Sequence, residues 1–201
     1  MKYPKLRELK EALRSFFSRP YTTRFPRCPH RPFERFRGKP EFHEDDCVGC
    51  GACAQVCPAG AITFRDEIRN GRARRVFTLR WDTCIACGQC EANCITGKGI
   101  ILSREFDLST TAKREDLIQE IEKDIVLCEG CGEMIVPQEQ MQWVARRLGP
   151  LCFSNASLVL FYLAGPDASI KPAVKQEREF LRSDRIKVLC PRCRRKAVLK
   201  S

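Results

Sequence analysis

The spacing of eight cysteines between Cys47 and Cys94 constrains this chain more than any other feature. They form two runs, Cys47-Val-Gly-Cys50-Gly-Ala-Cys53-Ala-Gln-Val-Cys57 and Cys84-Ile-Ala-Cys87-Gly-Gln-Cys90-Glu-Ala-Asn-Cys94, each with gaps of two, two and three residues. Three sulfurs two residues apart can surround one corner of a metal cube only if the backbone turns tightly. Gly49, Gly51 and Gly88 allow such turns because glycine tolerates positive φ. The fourth sulfur of each run, displaced along a short helical turn, points away from the first three. Disulfides need an oxidising compartment, and zinc usually takes its four ligands as two separated pairs. Neither suits two compact runs of four.

Two such runs in succession are the bacterial ferredoxin pattern, in which three thiolates of one run and the fourth of the other hold one cubane. The rule assigns Cys47, Cys50, Cys53 and Cys94 to one 4Fe-4S cluster and Cys84, Cys87, Cys90 and Cys57 to the other. The runs belong to an internal repeat. Asp46-Cys47 through Phe64 matches Thr83-Cys84 through Leu102, each copy being two cluster turns, a short helix and a short strand. Between the copies, Asn70-Gly71 is a strong type I′ hairpin signal, and Arg75-Val-Phe-Thr-Leu-Arg80 is rich in strand formers. Val48, Ile62, Ile85, Ile100 and Ile101 are expected to shield the clusters from water, one of the protein's levers on reduction potential. Proline follows Cys57 but not Cys94, so the second turn is expected to be less rigid.

Charge and pattern divide the rest of the chain. Residues 1–40 hold twelve Lys or Arg against three acids, so most of the net charge of +11 lies in that segment. Such concentration marks a surface for an acidic partner, nucleic acid or anionic lipid. Leu6, Leu9, Leu13 and Phe16 or Phe17 share one face of a helix expected over residues 5–18. At 1.5 Å per residue this helix is too short to cross a bilayer; it can lie on a membrane, dock on a partner or pack on its own domain. A Pro- and Arg-rich extended arm follows, in which Cys28 and His30 read as a free thiol and a solvated histidine. No run approaches the roughly 18 apolar residues of a membrane span, and the start lacks the apolar core of a secretory signal. With fourteen cysteines, a reducing, cytoplasmic setting is expected.

After Arg104 the sequence suggests a helix over Thr111–Glu122, with Leu117, Ile118 and Ile121 on one face, then a second helix begun by Pro137 and ended by Gly149-Pro150. Leu158–Ala164 reads as a short buried helix or strand. Cys128-Glu-Gly-Cys131 and Cys190-Pro-Arg-Cys193 are two knuckle-like pairs, and together they suggest a structural zinc site with four cysteine ligands. A third cluster and unliganded thiols are the alternatives. Cys152 reads as a small buried apolar residue. The fold expected is α+β: an amphipathic helix and basic arm (1–40), a bacterial 2×(4Fe-4S) ferredoxin-like module (41–106) and a helical, zinc-ribbon-like extension (107–201).

Several flanking motifs carry a family resemblance. Phe36-Arg-Gly-Lys-Pro40, the two cysteine runs, and Ile101-Leu-Ser-Arg-Glu-Phe106 followed by Lys113-Arg-Glu-Asp-Leu117 resemble the two-cluster subunit of formate hydrogenlyase and membrane-bound NiFe hydrogenase complexes. That subunit is similar to the subunit I type of NADH:quinone oxidoreductase. The late cysteine pairs resemble those of the hydrogenlyase branch. The resemblance implies an electron-transfer subunit, peripheral on the cytoplasmic side of the membrane, whose partners are a hydrogenase-like core, other iron-sulfur subunits and a membrane subunit. No nucleophile–base motif or dinucleotide fingerprint is visible, so no active site or small-molecule substrate of its own is expected. A free ferredoxin-type carrier is the alternative. An iron-sulfur and zinc nucleic-acid-binding protein is a further one, weakened because no recognition helix or stacking platform is evident.

Overall fold

The computed structural model describes residues 5–69, 72–111, 113–164 and 181–199. It divides into two compact units, residues 1–36 and 37–201. In the first, α1 (Leu6–Phe17) forms where the apolar period of the sequence places it, and the Glu8 carboxylate accepts the Lys5 N–H at 3.1 Å to cap its first turn. Leu6, Leu9, Leu13, Phe16 and Phe17 are all exposed.

The second unit is built on a twofold repeat and a sheet. Strand β1 (Pro40–Phe42) pairs antiparallel with β4 (Ile100–Leu102). The short helices α2 (Ala52–Gln55) and α3 (Gln89–Ala92) carry the third cysteine of each run. Strand β2 (Ile62–Arg69) forms an antiparallel hairpin with β3 (Arg72–Arg80), with Arg69 opposite Arg72. That register leaves a two-residue loop, as an Asn-Gly hairpin requires; Asn70 and Gly71 themselves lie outside the described residues.

The expected helix over 111–122 is not formed. Arg114–Leu117 is a single 3-10 turn, and Ile118–Leu127 is a ten-residue strand, β5, antiparallel to β3. The Glu, Gln and Lys content favours a helix by only tenths of a kcal/mol per residue, whereas the strand has a partner for each face. Ile121, Lys123, Ile125 and Leu127 are buried on one face. On the other, Glu122 meets Arg74, and Glu120 accepts the Thr78 hydroxyl at 2.8 Å. Strand β6 (Met134–Pro137) completes the order β2-β3-β5-β6. The sheet therefore runs across residue 106, where the sequence suggested a boundary.

Helix α4 (Gln138–Leu148) starts at Pro137 and stops at Gly149, whose φ of 54° breaks it. Helix α5 (Ala156–Ala164) fills the third apolar segment, and α6 (Pro191–Leu199) ends the described chain. Between α4 and α5, Cys152 is fully buried, as its spacing suggested.

The main core, with Phe42, Ile62, Phe77, Leu79, Ile100 and Ile121, lies between one face of this sheet and the cysteine turns, and Cys53 and Cys90 belong to it. Residues 37–39, read as the end of the arm, are tied into this unit. Gly38 donates to the Ser103 carbonyl, and a Cβ there would lie 2.3 Å from the Glu105 carbonyl oxygen, so only glycine fits. Gln119 spans the Phe42 backbone, accepting its N–H at 2.9 Å and donating to its carbonyl at 3.2 Å, which fastens β5 to β1.

Candidate iron-sulfur and metal sites

The two cysteine runs line two cavities. One is bounded by Cys47, Cys50, Cys53 and Cys94 with Val48, Phe77 and Ile100. The other is bounded by Cys84, Cys87, Cys90 and Cys57 with Ile62 and Ile85. Each cavity thus draws three sulfurs from one run and the last cysteine of the other. Their walls are almost entirely apolar, as a cubane needs if water is to be kept from its sulfurs. Ile101, also expected to shield a cluster, is half-buried in β4 and lines neither cavity.

The turns repeat residue by residue. Gly51 and Gly88 have φ of 80° and 79°, and each precedes a short helix carrying the third cysteine. Gly49 has φ of 72°, and its counterpart Ala86 is the one non-glycine residue among those described with positive φ, at 50°. The turn demands a left-handed residue in both copies. A Cβ at Gly49 would lie 3.1 Å from Pro137 and 3.2 Å from the Lys123 side chain, so in the first copy any other residue would also press these neighbours back by a few tenths of an ångström. Backbone carbonyls in both turns are held by arginines: Arg75 donates to Gly49 at 2.9 Å and Arg37 to Cys87 at 3.0 Å.

The turn after Cys94 is fixed without proline. Gly60 donates to the Cys57 carbonyl and Gly97 to the Cys94 carbonyl, so both copies make the same turn. The Thr96 hydroxyl accepts the Gly99 N–H at 3.0 Å and lies 3.3 Å from the Cys94 sulfur. Side-chain bonding to nearby backbone replaces proline's fixed φ. It also shifts the thiol: burial opposes ionisation of Cys94, but the Thr96 hydroxyl and surrounding amides outweigh it and hold the thiol below its ordinary value. Elsewhere burial prevails, pushing the Cys53 thiol up to about 12 and Cys90 up to about 11. Burial also raises Cys47, against the opposing pull of the Gly49 amide and the Lys123 charge. Thiols held protonated in this way become ligands only by losing protons to the metal.

The C-terminal pairs also converge. The sulfurs of Cys128, Cys131, Cys190 and Cys193 all lie within 4.8 Å of one another, although 58 residues separate the pairs. Cys131 and Cys190 are 3.7 Å apart, close to the roughly 3.8 Å edge of a tetrahedron with metal–sulfur bonds of about 2.3 Å. The first pair sits at the tip of the β5–β6 hairpin. The second opens α6 instead of the second hairpin a ribbon would have. Glu129 joins them, donating its N–H to the Val188 carbonyl and accepting the Val188 N–H on its carboxylate. At Cys128 burial works against ionisation, yet the amides of Cys190, Gly130 and Cys131 prevail and lower the thiol. Burial and the neighbouring cysteines push Cys193 up. Four thiols so close cannot all ionise without a cation among them. Cys28 is exposed and lines neither cavity.

No helix of the described residues is long and apolar enough to cross a membrane. Residues that the sequence did not single out surround the first cavity's turn: Arg75, Asp66 and Lys123, brought together only by the sheet. The signal for Lys123 is the alternation Ile121-Glu-Lys123-Asp-Ile125, which overlaps the end of the helix expected over 111–122.

Comparison with known proteins is consistent with this geometry. The chain is similar to formate hydrogenlyase subunit 6 of Escherichia coli (strain K12), at 34% identity over 122 residues, 61% of this chain and 66% of that relative. It thus spans just under two thirds of the relative's length. It is also similar, at 27% identity and a TM-score of 0.40 over 58% of this chain and 62% of the other, to a chain of the membrane-bound sulfane sulfur reductase, an archaeal respiratory membrane complex. The family described as the 4Fe-4S dicluster domain matches residues 26–61 and 46–98, a range that contains all eight cysteines of the two cavities.

Proposed function

We propose that this chain relays single electrons through two 4Fe-4S clusters as a peripheral subunit of a membrane-associated oxidoreductase of the hydrogenase, formate hydrogenlyase or complex I type. The observation that carries the reading is the pair of apolar cavities, each lined by four cysteines drawn from both runs. The clusters supply one-electron chemistry. Cys47, Cys50, Cys53 and Cys94 would hold one, and Cys84, Cys87, Cys90 and Cys57 the other. The chain's own part is to fix the sulfurs through the glycine turns, exclude water with the shared core, and hold the turns by Arg75 and Arg37. The similarity to formate hydrogenlyase subunit 6 supports a place beside other subunits of such a complex. In this reading that place is on the cytoplasmic side.

In the same reading Cys128, Cys131, Cys190 and Cys193 bind one structural zinc, in a zinc-ribbon-like extension that anchors the C-terminal region. Sulfurs within 4.8 Å of one another suit a single ion; a cube of irons between them would hold them farther apart. Four thiolates leave no open position for water, which makes the site structural.

Anaerobic reconstitution tests the cluster reading. Reduced protein should contain ~8 Fe and ~8 sulfide in its clusters and show two interacting cubane signals. A stable count near four iron overturns it. Purification from the native host separates a complex subunit, which brings other redox subunits with it, from a free carrier, which comes alone.

A further inference from the structure

Three charged residues lie side by side across the sheet at the first cysteine turn. In the register, Asp66 is opposite Arg75, and Arg75 is opposite Lys123, so all three project from the face that packs on the cluster core. Like charges directly opposite one another destabilise a strand pair, and here one of them, Lys123, is buried, with its side chain only 6% exposed. Burying an ammonium is costly unless something nearby needs positive charge.

Their partners show where that charge is directed. Arg75 is neutralised by a bidentate pair with Asp66, at 2.7 and 2.9 Å, and directs its remaining donor to the Gly49 carbonyl. Lys123 donates to the Glu44 carbonyl at 2.5 Å, in the 3-10 turn that leads into Cys47, and its Cβ lies 3.2 Å from where a Cβ of Gly49 would be. Its acidic partner, Glu139 of α4, is 3.5 Å away and 42% exposed, so water screens that carboxylate more than the ammonium. Glu44 itself is exposed and contributes only its carbonyl. The second turn has a different arrangement, because Arg37, which holds Cys87, is exposed.

We propose that Lys123 is an electrostatic tuning residue for the cluster held by Cys47, Cys50 and Cys53, its buried charge selectively raising that cluster's reduction potential. A cubane gains one negative charge on one-electron reduction, and a fixed cation in a low-dielectric site favours the more negative state. Lys123 belongs to β5, and Glu139 to the helix after β6, so the segment after residue 107 sets this potential directly. The inference rests on the two-cluster reading above.

The test is a redox titration of the reconstituted full chain, followed by electron paramagnetic resonance, in wild type and in Lys123→Met, Lys123→Arg and Glu139→Gln. A Cys50→Ser variant marks which midpoint belongs to this cluster. Lys123→Met should lower that midpoint by a factor of about ten or more in the one-electron equilibrium, equivalent to about 59 mV, and leave the other in place. Lys123→Arg should keep the wild-type midpoint, and Glu139→Gln should raise it, since it removes the opposing charge. If Lys123→Met fails to retain iron, the Arg and Gln variants decide. The proposal is overturned if the marked midpoint does not move, if both midpoints move together, or if Lys123→Met and Glu139→Gln shift it in the same direction. Failure of the two-cluster reading is recognised separately, by a wild-type iron count near four or a single midpoint.

Discussion

Gly49 and Ala86 occupy the same place in the two copies of the cysteine turn, and both are left-handed. Ala86 accepts the roughly 1–2 kcal/mol cost of that conformation. At position 49 the cost would be joined by close approach to Pro137 and Lys123. Gly49→Ala is therefore expected to lower unfolding stability by roughly 1–3 kcal/mol, and Ala86→Gly to leave it unchanged or slightly higher; thermal melts of the two cluster-loaded variants compare them. A second residue-scale prediction concerns the crossed ligands. Cys94 lies in the cavity with Cys47, Cys50 and Cys53, so Cys94→Ser should perturb the spectrum and potential of the cluster held there. Loss confined to the cluster of Cys84, Cys87 and Cys90 contradicts the assignment.

At the scale of elements, residues 1–35 contain none of the residues that line either cavity. They do contain an amphipathic helix with its apolar side chains exposed and most of the net charge. Deleting residues 1–35 should leave about 8 Fe per chain and release the protein from the membrane fraction of its host; co-purification as strong as that of the full chain counts against this. The deletion stops short of residues 37–42, because Gly38 and β1 are hydrogen-bonded into the second unit. Strand β5 carries the opposite lesson. Its sequence favours a helix locally, and its strand form comes from β3 on one side and β6 on the other. Ile121, 6% exposed in the main core, should cost about 2–5 kcal/mol when cut to alanine, as measured by denaturant unfolding.

For the whole molecule, the proposed clusters and the proposed zinc are expected to respond independently to ligand loss. Elemental analysis should find about one zinc per chain beyond the iron. Cys190→Ser should remove that zinc and loosen the C-terminal region to protease, with the ferredoxin-type spectrum largely retained. A third iron-sulfur signal that vanishes in this variant would overturn the zinc assignment. The sign of the pH effect follows from the thiols. Burial and neighbouring cysteines raise Cys193 and Cys190, so zinc must displace protons to bind, and its affinity should fall as pH falls. A competition titration at two pH values reads this directly.

Local chemistry is legible in the sequence, because it depends on residues close in the chain. Gaps of two, two and three between cysteines set which sulfurs can share a turn, glycine at 51 and 88 permits those turns, and apolar periods place α1 and α4. The absence of proline after Cys94 suggests a loose turn, whereas Thr96 fixes it through bonds that only a folded backbone displays. Tertiary structure decided what depends on distant residues. It made 118–127 a strand, since pairing and burial outweigh small propensities. It closed the long interval between Cys131 and Cys190, which spacing alone cannot do. It also set Asp66, Arg75 and Lys123 in one row against Gly49, a juxtaposition of residues far apart in the chain that arises only from the register of three strands.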